Sequence, residues 1–271
     1  MTVEADAKIN LTLEVYGLRA DGFHELRSLV QPIALADTLT VVPTEGGVIA
    51  SDTGYGEKDL IVRAARALRA ACAPSCPGLG ARVRVVKRIP AGGGLGGGSA
   101  DAAATLRALN TLWRLGKSPE ELAALGAAVG SDVPALVLAQ HYRQPVWMEG
   151  RGERVSVAAA VCEARRPLVL VHPGVSSATA EVYARCSPRA TPPSGPVNDL
   201  QAAACALHPE IAFALAALVA AGAQDVMMSG SGSVVYGFAD DEPSARSMAA
   251  RLRALGCTTW VTAVRHPRNL V

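Results

Sequence analysis

Apolar and polar positions alternate near the start of the chain. Ile9, Leu11, Leu13 and Val15 are separated by Asn10, Thr12 and Glu14, which predicts a half-buried strand ending at Gly17. The segment Arg19-Ala20-Asp21-Gly22-Phe23-His24 follows as a loop, with Asp-Gly as its turn signal. Val41-Val42 and Val48-Ile49 read as short strands, and Val83 and Val85, alternating with Arg82 and Arg84, as another that runs into Pro90. A helical period first shows over residues 59–71, where Leu60, Ala64, Ala67, Leu68 and Ala71 share a face that Arg63, Arg66 and Arg69 avoid. Helices are also predicted over residues 99–113 and, with Ser118 as N-cap, over 119–128.

Beyond residue 130 the pattern is weaker. Residues 142–149 read as irregular and end in Gly150-Arg151-Gly152-Glu153. Residues 167–171 form an apolar run that predicts a buried strand, stopped by His172-Pro173-Gly174. The Pro- and Ser-rich stretch 187–196 reads as loop. A helix over 209–221, strands at 225–228 and 234–238, a helix over 243–255 and a strand near 259–264 complete the chain. This second half reads as β-α-β-like, which predicts a separate, smaller domain after about residue 160.

Composition narrows the classes. With 271 residues, half of them hydrophobic, the chain can bury a sizeable core in one large domain or in two that share a cleft. Its net charge is +2 and no run of Lys or Arg stands out, which argues against nucleic acid or an anionic membrane as partner. Lysine occurs only at Lys8, Lys58, Lys87 and Lys117. The six cysteines (Cys72, Cys76, Cys162, Cys186, Cys205 and Cys257) have neither metal-ligand spacing nor a disulfide-framework pattern, so buried free thiols in a reducing compartment are expected. Early acids at Glu4 and Asp6 and the lack of an apolar core argue against a signal peptide, and no apolar run has the length of a span. A cytoplasmic protein is expected.

The densest chemistry lies in Pro90-Ala91-Gly92-Gly93-Gly94-Leu95-Gly96-Gly97-Gly98-Ser99-Ala100. Six of the seven residues from Gly92 to Gly98 lack a Cβ, so backbone N–H groups can converge on an anion. Ser99-Ala100-Asp101 then opens a helix, whose N-terminus favours phosphate. No Gly-Lys-Ser/Thr follows, so this is not a Walker loop. A dinucleotide fingerprint fits poorly, since the preceding strand is arginine-rich and the region about 20 residues on is helical. A bland glycine linker would have polar flanks, whereas a strand and a helix flank this loop.

Pro90 to Ala103 resembles the second motif of the GHMP kinases, Ala7-Lys8-Ile9-Asn10-Leu11 their first, and Ser229-Gly230-Ser231-Gly232-Ser233 their third. Arg19 to His24, Gly130-Ser131-Asp132-Val133-Pro134 and His172-Pro173-Gly174-Val175-Ser176 are similar to signatures of the branch whose substrate carries a cytidine diphosphate group. The resemblance implies an α+β fold of two two-layer α/β domains, residues 1–160 and 161–271. The larger N-terminal domain holds the ATP loop, and the site lies in the cleft between them, where the third-motif loop braces the glycine loop. It also implies Mg²⁺-ATP as phosphoryl donor and a tertiary hydroxyl as acceptor, in isoprenoid precursor synthesis.

Residue by residue, the resemblance places Asp132 and Lys8 at the acceptor hydroxyl. An Asp near an alcohol can accept its proton, and Lys8 can hold that carboxylate while countering charge on the γ-phosphoryl group. On the residues alone, Asp132 could merely cap its turn and Lys8 could be a surface charge on an edge strand. Phe23 and Tyr183 match the rings that stack the cytosine, His24 matches the residue that reads its edge, and Thr179 lies near the same pocket. A lone Phe or Tyr is more often core. Asn10 could contact substrate or satisfy the strand end. Asn198-Asp199-Leu200 resembles a family Asn-Asp motif. The chain departs from the family at Gln140 to Trp147, which is bulkier than the usual glycine-rich strand. A catalytically silent nucleotide binder would lack the Lys8–Asp132 pair; another GHMP alcohol kinase would lack the cytidine pocket.

Overall fold

The computed structural model describes residues 1–72, 78–159 and 165–266. Two long strands organise its first half: β1 (Thr2–Leu18) and β2 (His24–Thr44) pair antiparallel, with register shifts between Asp6 and Lys8, Asn10 and Thr12, and Val15 and Leu18. Such irregularities coil a ribbon. Both strands exceed the predicted ones because Ala5 to Asn10 in β1 and Ser28 to Ile33 in β2 are buried on both faces; the strand expected to be half-buried is buried on both faces too, at Asn10, Thr12 and Glu14. β3 (Ile49–Ser51) and, after α1 (Leu60–Ala70), β4 (Gly80–Val86) join the same sheet.

Asp59 caps α1 by accepting from the Ile61 amide at 2.9 Å. The buried stripe is Ile61, Val62, Ala64, Ala65 and Leu68, turned from the predicted one: Leu60 and Ala67 are half-buried and Ala71 is exposed. α2 (Gly97–Leu112) follows the glycine loop, and α3 (Pro119–Gly126) starts with a capping box between Ser118 and Glu121. The next element, α4 (Val133–Tyr142), lacks an amphipathic pattern because every residue from Val133 to Gln140 is buried. The segment predicted to be irregular is in fact the end of α4 and β5 (Val146–Gly150), which pairs with β2 and β6 (Arg154–Val157). Its bulky residues find partners: the Tyr142 hydroxyl donates to Glu120 at 2.8 Å, and Trp147 lies under the Arg27 guanidinium.

The second half contains β7 (Pro167–His172), α5 (Thr179–Arg185), α6 (Leu200–Leu207), α7 (Pro209–Ala220), β8 (Gln224–Met228), β9 (Val235–Phe238), α8 (Glu242–Ala254) and β10 (Thr258–Ala263). Its sheet runs β10-β7-β9-β8 and every pairing is antiparallel, so the expected β-α-β character, with parallel neighbours, is not found. Both faces of this sheet are covered, with the strand period of two deciding which way each residue goes. Leu168, Leu170, Tyr236 and Phe238 pack into the core shared with the first half, while Val169, Val171 and Val235 pack with the helices α6 to α8. The expected boundary at 160/161 lies outside the described residues.

Cys72, Cys186, Cys205 and Cys257 are free, but half-buried rather than buried as expected; Cys76 and Cys162 lie outside the described residues. Among the described residues no single helix is long and apolar enough to cross a membrane.

Candidate active site

A cavity of about 1290 Å³ opens between the glycine loop, the start of α4, the β1–β2 turn and α5. The glycine loop forms its floor. Gly92, Gly94 and Gly96 have φ of 68°, 74° and 71°, a left-handed conformation that side chains disfavour and that turns successive N–H groups toward one side. Gly94 is also held against the third-motif loop: a Cβ there would collide with the Ser229 carbonyl oxygen. The Ser229 hydroxyl donates to Gly94 O at 3.0 Å and the Val234 amide to Gly93 O at 3.2 Å. Asn198 fixes the bracing loop in turn, donating to Met228 O and Gly230 O at 2.8 Å each. Asp199 receives the Val15 amide and the Arg189 guanidinium, so this Asn-Asp pair ties the two halves together.

Lys8 enters from β1, and its amide donates to Leu95 O at 3.1 Å, which ties the strand to the loop. It is not a surface charge on an edge strand. The side chain is buried, its Nζ donates to Asn10 Oδ1 at 2.6 Å, and it lies 3.7 Å from Asp132 Oδ2. Burial draws the Lys8 ammonium below the usual lysine range, against the opposing pull of Asp132. Asn10 donates to Ser28 Oγ at 2.7 Å and so aims its oxygen at Lys8. Asp132 sits at the entry to α4 and makes no capping bond, which leaves its carboxylate facing Lys8 and the cavity. The local reason is Pro134 in the first turn, which lacks the amide that a cap would serve.

At the other end of the cavity His24 lies against Tyr183, with ring centroids 5.2 Å apart and planes tilted by 33°. Burial, with help from the nearby Asp132, pushes the Tyr183 phenol well above its usual range, so the ring stays neutral. Phe23 is 48% exposed and stands beneath the Arg151 guanidinium, 5.1 Å from ring centroid to Cζ. Thr179 opens α5 and its hydroxyl pairs with that of Ser231 at 2.9 Å. Lys8, Asp132, Asn10, Phe23, His24, Thr179, Tyr183 and the loop therefore converge on one space, although Asn10 is committed to Lys8 and Ser28.

The sequence reading missed a second charged cluster on the wall of this cavity. Lys87 bridges Asp101, at 2.7 Å, and Asp37, which also accepts the Ile89 amide at 2.9 Å. Asp37 thus latches the turn that feeds the glycine loop. Burial raises Asp101 to about 7, against the pull of Lys87 and with the help of Asp37, and its Oδ1 has no partner among the described residues. Burial lowers Lys87, but Asp101 and Asp37 outweigh that and raise it. The scarcity of lysine offered a signal for Lys87. None existed for Asp37, which lies 50 residues upstream.

The GHMP kinases N terminal domain model matches residues 59–140, and the GHMP kinases C terminal model matches residues 194–256. A 4-diphosphocytidyl-2-C-methyl-D-erythritol kinase of Moorella thermoacetica is 39% identical, over 97% of this chain and 98% of the relative. One of Pelotomaculum thermopropionicum is 38% identical over 99% of each. A crystal structure of 4-(cytidine 5'-diphospho)-2C-methyl-D-erythritol kinase superposes with a TM-score of 0.82 at 35% identity, covering 98% of this chain and 100% of that one. Homoserine kinase from Cytophaga hutchinsonii, at 15% identity and a TM-score of 0.70, shares the fold over 97% of this chain and 95% of its own. On these grounds the chain belongs to the GHMP kinases, and within them to the 4-diphosphocytidyl-2-C-methyl-D-erythritol kinase family.

Proposed function

We propose that the protein transfers the γ-phosphoryl group of ATP to the 2-hydroxyl of 4-diphosphocytidyl-2-C-methyl-D-erythritol, a step of non-mevalonate isoprenoid precursor synthesis. The observation that carries this reading is the pairing of buried Lys8 with Asp132 between a glycine cradle and an aromatic wall. Asp132 takes the hydroxyl proton as the oxygen attacks the γ-phosphorus and the bond to the β-phosphate oxygen breaks, releasing ADP. Lys8 holds the carboxylate in place and offsets charge on the transferred group. The glycine loop N–H groups and the α2 N-terminus receive the phosphates. Tyr183 and Phe23 cover the cytosine, and His24 reads its edge. Residues 1–160 and 161–271 act as the two lobes of the cleft.

Mg²⁺ is normally held by one or two protein oxygens together with substrate phosphates. The hydroxyl of Ser99 fits that need, because it lines the cavity and has no hydrogen-bond partner among the described residues. The metal would neutralise phosphate charge there.

The test is a panel: ATP and Mg²⁺ with the cytidine substrate, homoserine or mevalonate, following ADP release. Turnover confined to the cytidine substrate is expected. Turnover of homoserine or mevalonate instead would assign another GHMP alcohol kinase activity.

A further inference from the structure

Four cations line the cavity among the described residues: Lys8, Lys58, Lys87 and Arg151. Lys8 is matched by Asp132, and Lys87 by Asp37 and Asp101. Lys58 precedes α1, whose Leu60 faces Gly98, and so belongs to the glycine-loop end. That leaves Arg151 as the one cavity cation at the aromatic end with no ion pair among the described residues.

Its placement is built rather than incidental. Arg151 sits at the tip of the β5–β6 hairpin, where its amide donates to Glu153 at 2.7 Å. The next residue, Gly152, has a φ of 116°, and a Cβ there would collide with the Ser131 carbonyl oxygen, so the tip presses on the turn that carries Asp132. Arg19, bonded to Glu25 at 2.6 Å and 3.6 Å from Glu153, ties the same tip to the loop that carries Phe23. The hairpin tip therefore joins the loop of Phe23, whose ring lies under the guanidinium, to the turn that carries Asp132.

A nucleoside diphosphate ester spans that interval with its two negatively charged phosphates, which require a cation once they leave bulk water. We propose that Arg151 binds the diphosphate of the acceptor substrate and thereby selects alcohols linked through a diphosphate to the nucleoside. This rests on the functional reading above. The competing role is a prop that holds Phe23 through the cation–π contact, with no phosphate contact.

Cytidine and CDP separate the two roles, because both present the base and only CDP presents the diphosphate. Their inhibition constants, and the KM of the cytidine substrate, are measured for wild type, R151Q and R151K. For R151Q the inhibition constant of CDP and the KM should rise about 10-fold, the range of one partly screened charge-assisted bond. Cytidine should stay within two-fold, and R151K should recover most of the loss. Equal losses for cytidine and CDP, or no loss for either, would overturn the assignment. A wild-type enzyme inhibited by neither ligand would overturn the functional reading itself, a result distinct from a variant that matches wild type.

Discussion

Asp101→Asn should change how stability depends on pH. Asp101 is buried in the second turn of α2, receives Lys87 at 2.7 Å and is pushed up to about 7 in the folded protein. The ordinary value for its carboxyl is 3.8, so between about pH 4 and pH 7 the folded chain holds a proton there that the unfolded chain has released. Stability from this group is therefore greatest at low pH and is lost as pH rises toward 7. One pH unit of such a difference is worth about 1.4 kcal/mol, so from pH 5 to pH 8 wild type should lose about 3 kcal/mol relative to the variant. Asn keeps an oxygen for Lys87 and supplies a donor toward Asp37, so the variant lacks the titration without losing the bridge. Paired thermal melts give the comparison, since other carboxylates cancel in the difference. The gap in Tm, variant minus wild type, should widen by about 6 °C or more across that interval. A gap that stays constant within about 2 °C would show that Asp101 is ionised throughout, and the account of this cluster would be wrong.

Asp132→Asn should lower kcat by about 10²- to 10⁴-fold with KM within a few-fold, and a variant keeping a third of wild-type kcat would remove Asp132 from the chemistry. Tyr183→Ala or Phe23→Ala should weaken the cytidine substrate by roughly 5- to 150-fold while ATP affinity barely moves; equal losses for both ligands in calorimetry would show that these rings do not hold the cytosine. His24→Ala should instead relax discrimination among pyrimidine nucleotides, read from competition with CMP and UMP. Gly94→Ala should abolish measurable ATP binding, because its Cβ collides with the Ser229 carbonyl oxygen and its φ is 74°; an unchanged calorimetric Kd would place the nucleotide elsewhere.

Much of the site was legible because its parts are local in sequence. A glycine cradle needs consecutive residues without Cβ, and a helix start needs its cap within a few positions, so the loop, α2 and the Ser118 N-cap could be read directly. What escaped was set by distant contacts. α4 is surrounded on all sides, so its sequence has no polar face to betray a helical period. Double-sided burial removed the alternation from Ser28 to Ile33 in β2; Ile9 to Val15 alternate in sequence although Asn10, Thr12 and Glu14 are buried too. α5 and α6 are short and flanked by loop residues, and the packing of Val182 and Leu200 into the second core stabilises them more than their own propensity does. The Asp37–Lys87–Asp101 bridge joins three segments, and no spacing rule announces it. An arginine at a hairpin tip, Arg151, likewise gains meaning only beside Phe23 and Ser131.

The proposed acceptor is a tertiary hydroxyl, and that gives the central claim a direct spectroscopic signature. Wild-type protein is incubated with ATP, Mg²⁺ and 4-diphosphocytidyl-2-C-methyl-D-erythritol, and the product is examined by proton-coupled ³¹P NMR. Phosphorylation at the tertiary carbon leaves no hydrogen three bonds from phosphorus, so the new monoester signal should be a singlet beside an intact diphosphate, with one ADP formed per product. A triplet from a primary ester, a doublet from a secondary one, or ADP release without a new monoester would contradict the account.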